Sequence, residues 1–275
     1  MNYAFMRFPN FRDKAITLSY DDGAKTDEKF IDIISKGGLK ATFNVNSGIL
    51  LDNDDFHLSL NEAINLYRTS GNEIAVHGYK HLPLAELPVT ATIDEVFKDR
   101  QILEKQADCL VRGMAYAYGS YDDRTEEVLK QCGIVYSRTV NSSRKFSIPD
   151  NWLMLSPTCH YNDPELFNLA ESFFADDNRI ILKQEPKIFY LRGHSHEFER
   201  NRNWDIIEEF VSAVGGRDDV WYVTNIELYD YVKAYDNLIW SSEMSFVFNP
   251  SLIDVFLLFC SKNIVLRSGE TTSLR

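Results

Sequence analysis

Cysteine is sparse in this sequence and carries no pattern. The four, Cys109, Cys132, Cys159 and Cys260, form no C-x-x-C pair and no compact framework, which excludes a structural zinc knuckle and a disulfide scaffold and leaves buried thiols as the expectation. Long apolar runs are missing too. The opening stretch MNYAFMRFPNFRDK is charged early and has no apolar segment of signal-peptide length, and no later run reaches the length of a membrane span. A cytoplasmic protein with no membrane partner is therefore expected. Basic residues are in deficit: 29 Lys and Arg face 41 Asp and Glu, a formal net charge of -12 at pH 7. That balance repels nucleic acid and anionic membrane surfaces alike, so a neutral or cationic substrate suits the chain better.

What the chain does have is material for one large core. Hydrophobic residues make up 44% and aromatics 13% of 275 positions, a length typical of a single α/β barrel. Seven short apolar runs (ITLSY, KATFNV, EIAV, VRGMAYA, GIVYSR, KIFYLR and VWYV) alternate with longer segments of helical period. Capping-box patterns at Thr92 to Glu95 and Thr224 to Glu227 predict helix starts, with Ile93, Val96, Phe97 and Leu103 on one inward face. Near residues 204–214 the inward set is Trp204, Ile207, Phe210, Val211 and Val214. Repeated strand-then-helix alternation predicts a parallel sheet, and units of this number predict a distorted (β/α) barrel of about seven strands over residues 1–240. Residues 241–275, with the turn Asn249-Pro250-Ser251, predict a small β-rich extension packed on the barrel. Within it DVFLLFC reads as a strand, a short helix being the alternative.

Two motifs carry chemistry. Asp21 and Asp22 follow the apolar run AITLSY and precede Gly23, so adjacent carboxylates close a strand and point apart; one can bind a metal while the other stays free as a base. His77 and His81 are spaced to share one face of a helical turn, and with one carboxylate they make the two-His, one-carboxylate set of hydrolytic metal sites. Zinc suits these ligand types best, and cobalt, nickel or iron would accept the same set. Alone, Asp-Asp-Gly is mostly a solvated turn, and the histidine spacing is common by chance. Together, both at the ends of apolar strands, they mark the position where α/β folds assemble their sites.

The succession LSYDDG, GNEIAVHGYKH, AYAYGSYD and FYLRGHSHEF resembles the polysaccharide deacetylases, carbohydrate esterase family four, whose fold is a distorted α/β barrel. The resemblance runs from about Lys14 to Tyr231. It implies that Asp21 is the general base and that Asp22, His77 and His81 bind a divalent metal. The family's Arg-x-Pro-Tyr-Gly motif corresponds to Ala115-Tyr116-Ala117-Tyr118-Gly119, where the tyrosine and glycine match and the arginine and proline are replaced by alanines. Arg112 or Arg138 must then supply the cation beside Asp21; Arg138, nearer the carboxyl end of its strand, is the better placed. The resemblance implies a histidine general acid, for which the run offers His194 and His196; His194, at the strand end behind Gly193, is preferred. The family's Asp-x-x-Asp-Trp element corresponds at best to Arg200-x-x-Asn203-Trp204, without its carboxylates, so Glu197 or Asp163 takes over its task. His160 is a further pocket candidate, although a lone histidine is more often structural.

The chemistry so implied is hydrolysis of an acetyl amide. Asp21 deprotonates the attacking water, the metal and the Tyr118 backbone N–H receive the oxyanion, and His194 protonates the leaving amine. The expected substrate is an N-acetylated sugar or other acetylated carbohydrate. A hydrolase of small non-sugar amides or cyclic ureides, or a metal-retaining protein that only binds carbohydrate, are the alternatives.

Overall fold

A computed structural model describes residues 2–175 and 185–275. Its strands and helices in chain order are β1 (Ala4–Arg7), β2 (Lys14–Asp21), α1 (Asp27–Lys36), β3 (Ala41–Val45), α2 (Ser47–Leu50), α3 (Leu60–Thr69), β4 (Glu73–Val76), α4 (Val89–Ala107), β5 (Gly113–Ala115), α5 (Asp123–Gln131) and β6 (Tyr136–Arg138). There follow β7 (Cys159–His160), α6 (Leu166–Phe174), β8 (Lys187–Gly193), α7 (Ser195–Asn201), α8 (Trp204–Val214), β9 (Val220–Tyr222) and α9 (Asn225–Asp236). The chain ends with β10 (Ile239–Trp240), β11 (Phe246–Phe248), β12 (Val255–Phe259), β13 (Lys262–Leu266) and β14 (Thr271–Ser273).

The seven apolar runs become β2 to β6, β8 and β9 of one sheet, which also takes in β7 from outside those runs; its order is β6-β5-β4-β3-β2-β8-β7 with β9 added against β2, and every pairing is parallel. The central strand β2 is buried along nearly its whole length, as a parallel strand covered on both faces must be. One of its edges pairs with β8 over Lys14 to Tyr20. The other is shared: β9 takes Lys14 to Ile16 and β3 takes Leu18 to Asp21. The sheet then curls until its ends meet through irregular backbone. Leu155 exchanges hydrogen bonds with Ser137 and Thr139 at the β6 edge, and four residues later β7 pairs with Leu191 and Arg192 of β8. A distorted, nearly closed α/β barrel results.

Alternation along β2 decides what lies inside. Ile16, Leu18 and Tyr20 join the outer core, where Tyr20 packs on Phe30 of α1 at 3.9 Å and Phe43 of β3 stacks on Tyr67 of α3 at 4.1 Å. Burying each such side chain contributes roughly 1.5–3 kcal/mol. The opposite face sends Thr17, Ser19 and Asp21 inward, and the barrel interior is polar. Thr17 donates to Asn225, Asn225 donates to the Tyr190 hydroxyl, and Ser19 accepts from Asn44 and Arg138. This column of hydrogen-bonded polar groups leads up to Asp21.

Two helix expectations need correction. The capping box at Thr224 is present, with the Thr224 side chain and Glu227 bonded reciprocally, but Thr92 is not a cap: α4 begins at Val89 and Thr92 donates to Pro88 and Leu84 carbonyls inside it. Ile93 and Phe97 are exposed, and the inward face is instead Glu95, Val96, Asp99 and Leu103. The reason is chemical: Glu95 and Asp99 accept backbone N–H groups from the loops above them, so carboxylates occupy positions that pattern reasoning assigns to apolar residues. The cysteines are all free; Cys132 and Cys159 are buried as expected, whereas Cys109 is exposed and Cys260 half-buried. Outside the barrel, DVFLLFC contributes the strand β12, which pairs with both β13 and the amino-terminal β1, and Cys260 and Ser261 make the tight β12–β13 turn with positive φ at both positions. Among the described residues no helix is long and apolar enough to cross a membrane.

At the barrel floor Glu73 accepts from the Tyr136 hydroxyl at 2.6 Å, the Thr42 hydroxyl at 2.7 Å and the Ile226 N–H at 2.9 Å. Burial outweighs these bonds and pushes its pKa up to about 7. The folded state thus holds a proton that the unfolded chain releases above the ordinary carboxylate range, so this contribution to stability is present at low pH and is lost as pH rises toward 7. Between about pH 5 and pH 8 the thermal midpoint should fall, and Glu73→Gln should flatten the fall. An unchanged slope in the variant would show that Glu73 is ionised in the fold.

Candidate active site

Asp21 and Asp22 leave the same strand end in different directions because the backbone turns between them. Asp21 still has strand geometry, while Asp22 adopts φ of 79° and Gly23 φ of 72°, left-handed conformations that Asp tolerates and Gly favours. Asp21 is 5% exposed and both of its oxygens are engaged: Oδ1 accepts from Asn44 Nδ2 at 2.8 Å and Oδ2 accepts from Arg138 Nη2. Arg138 is itself buried, donating through Nε to Ser19 Oγ at 3.1 Å and through Nη1 to the Thr139 carbonyl at 3.2 Å. Burial alone would raise the pKa of Asp21. Arg138, followed by His77 and His194, overcomes that effect and holds it well below the usual carboxylate range.

His77 and His81 do come together, but not on a helical turn as their spacing predicts. His77 directly follows β4, and the chain turns back through Gly78 at φ of 87° to His81 at φ of 58°, with no helix between them. Glu95 holds this turn from below, accepting the Lys80 N–H at 2.9 Å while its carbonyl takes the Tyr79 N–H. Asp99 accepts the His77 N–H at 3.1 Å and the Ser47 N–H at 2.7 Å. The His77 and His81 Nε2 atoms are 3.2 Å apart, and Asp22 Oδ1 lies 3.7 and 3.8 Å from them. His77 Nδ1 donates to the Ala115 carbonyl at 2.8 Å, which fixes the tautomer and leaves Nε2 unprotonated for a ligand. Burial, then His77, lowers the pKa of His81, favouring the neutral imidazole. Tetrahedral bonds of about 2.1 Å separate neighbouring ligand atoms by about 3.4 Å. Asp22, His77 and His81 therefore fit a divalent ion in spacing, tautomer and donor type.

His194 directly follows β8 and occupies the position before the first residue of α7. Its Nε2 is 3.7 Å from Asp21 Oδ2 and 3.8 Å from Asp22 Oδ2, while its Nδ1 faces Glu197 Oε1 at 3.6 Å. Burial disfavours its charged form, but Glu197, Asp21 and Asp22 together raise its pKa above the ordinary histidine value. Glu197 also meets His160 Nε2 at 3.2 Å and Arg200 at 3.3 Å. Despite the burial that opposes it, the contacts with His160 and His194 lower its pKa well below the carboxylate range. Tyr118, at φ of 58° and 70% exposed, covers the His81 ring with its own at 4.5 Å.

Other candidates lie elsewhere. Arg112 is paired with Asp230 at 2.6 Å, away from Asp21, and Asp163 is paired with Arg144. His196 lies beyond His194, with ring centroids 5.2 Å apart, and Trp204 donates to Glu199 rather than approaching His194. Sequence reasoning missed Asn44, Ser19, Glu95 and Asp99. Asn44 had a legible signal, a lone amide near the carboxyl end of the apolar run KATFNV; Glu95 and Asp99 look like any solvated helix carboxylates.

Residues 9–137 match the polysaccharide deacetylase family model. That stretch belongs to the polysaccharide deacetylase family. It carries Asp21, Asp22, His77, His81 and Tyr118, and it ends one residue before Arg138. Among solved structures, the fold is similar to a putative polysaccharide deacetylase from Mycobacterium smegmatis, at 17% identity over 85% of this chain and 95% of that one, with a TM-score of 0.58. A family 4 carbohydrate esterase from Streptomyces lividans, in complex with acetate, is 12% identical over 76% of this chain and 92% of its own (TM-score 0.50). A family 4 pseudoenzyme from Bacillus anthracis is 17% identical over 82% and 67% (TM-score 0.51). No curated protein matches the sequence.

Because Asp22 faces two imidazoles whereas Asp21 is committed to Arg138 and Asn44, the two carboxylates should separate in a metal titration. Calorimetry with zinc should show Asp22→Ala losing most of its affinity, on the 10- to 100-fold scale or more of ligand-shell changes, and Asp21→Asn retaining it. Equal losses would reject the division.

Proposed function

We propose that the protein is a divalent-metal-dependent hydrolase that removes acetyl groups from an N-acetylated sugar or another acetylated carbohydrate. The observation that carries the reading is one strand end with two carboxylates in different company: Asp22 beside His77 and His81, Asp21 beside Arg138, and His194 within 4 Å of both. Zinc is the ion the donor set suits best; held by Asp22, His77 and His81, it would polarise the acetyl carbonyl and lower the pKa of water.

Asp21 is the general base. Arg138 and Asn44 each occupy one of its oxygens and leave lone pairs on both for a proton taken from the attacking water. The backbone N–H of Tyr118 donates to the developing oxyanion. His194 delivers a proton from Nε2 to the departing nitrogen, without which an amine is a very poor leaving group, and Glu197 opposite Nδ1 orients the ring and favours its charged form. His160 and Arg200 hold Glu197 in turn.

Acetylated chito-oligomers, acetylxylan and small cyclic amides, incubated with and without zinc, test the assignment. Acetate should be released from an acetylated carbohydrate, chelator should abolish release and zinc should restore it. Cleavage confined to the cyclic amides would transfer the site to a different substrate class, and no cleavage at all would make the chain a binding protein.

Arg138→Met tests the charge arrangement separately. With the guanidinium gone, burial acts on Asp21 unopposed by its main counter-charge and the carboxyl pKa rises. The base is active only when ionised, so the acidic limb of the rate profile should move to higher pH while turnover falls by roughly two to four orders of magnitude. A profile that keeps its acidic limb in place would remove Arg138 from this role.

A further inference from the structure

Beside the proposed acid the rim carries a groove of about 620 Å³, lined by Lys25, Thr26, Asp55, Phe56, His196 and Arg200 among others. Phe56 is 48% exposed and packs edge-on against His196, ring centroids 5.2 Å apart; the His196 ring lies a further 5.2 Å from that of His194. One side chain, His196, thus separates the groove from His194 of the site described above. A single exposed apolar residue usually needs no explanation. The backbone around this one is held in place by hydrogen bonds on both sides. Asp54 Oδ1 accepts the N–H groups of Phe56 and His57 at 2.8 and 2.7 Å, and its Oδ2 meets His57 Nδ1 at 2.7 Å. The Phe56 carbonyl accepts the Lys25 N–H, Leu58 N–H donates to the Gly23 carbonyl, and Lys25 Nζ reaches the Asp55 carbonyl at 2.9 Å. The loop that carries Phe56 is therefore fastened to the residues directly following Asp22.

A rigid aromatic face kept in water, with charged groups along its edge and a catalytic centre one ring away, matches the surface chemistry of a pyranose. Such a ring has a C–H face that packs on an aromatic and a rim of hydroxyls that hydrogen-bonds carboxylates and guanidinium groups. Asp55 and Arg200 supply that rim, whereas a wholly apolar occupant would strip water from them without replacing its hydrogen bonds. Prior fixing of the loop removes the ordering cost on binding. We propose that this groove is the subsite for the sugar residue adjoining the one that loses its acetyl group, with Phe56 as its stacking platform. The inference rests on the deacetylase reading of the neighbouring site.

Steady-state deacetylation of tetra-N-acetylchitotetraose, compared with hydrolysis of 4-nitrophenyl acetate, tests it. Phe56→Ala should raise KM for the tetramer roughly three- to tenfold, the scale of one aromatic packing contact, with kcat far less affected. The change should be larger for the tetramer than for the ester, which has no second sugar, and Phe56→Trp should restore the tetramer KM. Equal changes for both substrates, or no change, would overturn the subsite. If the wild-type protein releases acetate from no carbohydrate, the deacetylase reading fails and calorimetric binding of the tetramer decides the subsite separately: weaker binding by Phe56→Ala supports it, and equal or absent binding overturns it.

Discussion

Two opposite charges almost wholly removed from water, Asp21 and Arg138, sit at the top of the barrel interior, and much of the surrounding structure serves to keep them there. Desolvating such a pair costs several kcal/mol per ion, and the attraction between them offsets this only when the remaining hydrogen-bonding capacity is also met. Here it is met largely by backbone and by short side chains that face inward from the sheet. Ser19 and Asn44 occupy neighbouring strands and bond to each other as well as to the pair, while the Thr139 carbonyl takes a further guanidinium N–H. The pair also spans the barrel from its central strand to β6, the strand at one end of the sheet order, close to where Leu155 closes the ring. A change in the curl of the sheet would pull Arg138 away from Asp21, so barrel geometry and the charge state of Asp21 are one constraint.

The loops around this pair are held by carboxylates of another kind. Asp99 binds backbone N–H groups of both Ser47 and His77, and Asp27 accepts from the Tyr67 hydroxyl at 2.5 Å and from Ser195, the residue after His194. Burial pushes both carboxyls up to about 7. Each connects a functional loop to a helix that has no functional side chain of its own: α4 fixes His77 through Asp99, and α1 with α3 fixes the start of α7 through Asp27. Loops with little apolar surface acquire rigidity in this way from buried hydrogen bonds, which is expensive in desolvation and specific in geometry.

This division explains what could be read from the residues alone. The strands are legible because a buried parallel strand leaves a short uninterrupted apolar run, and ITLSY, EIAV and KIFYLR are such runs. Asp21, Asp22 and His77 are legible because each sits where its run stops, and His81 because it follows His77 at a metal-ligand spacing. What is not legible is the way contacts between distant segments override local pattern. Thr92 and Glu95 have the letters of a helix start, yet Glu95 is drawn inward by the turn at Lys80 and the helix begins four residues earlier, at Val89. The spacing of His77 and His81 suggests a helix, but Gly78 and His81 in left-handed conformations bring the imidazoles together by a different route. A period can be satisfied by more than one backbone path, and only the groups that stabilise one of them decide between the paths.

The arginine absent from position 115 illustrates the same point at the level of the site. In the β5–β6 pairing the residue in register with Ala115 is Arg138. Side chains of registered partners in a sheet project from the same face, so a guanidinium on β6 approaches from nearly the direction that one on β5 would use. The long, flexible arginine side chain covers the lateral step of about 4.8 Å between strands. Alanine at 115 then leaves the interior space that Arg138 needs, while the Ala115 backbone carbonyl, which any residue there would provide, still orients His77. A motif defined by sequence position counts this as a loss, whereas the carboxylate responds only to where the charge is and how it is hydrogen-bonded. The electrostatic requirement of Asp21 therefore constrains a point in space, and either of two neighbouring strands can supply the residue that reaches it.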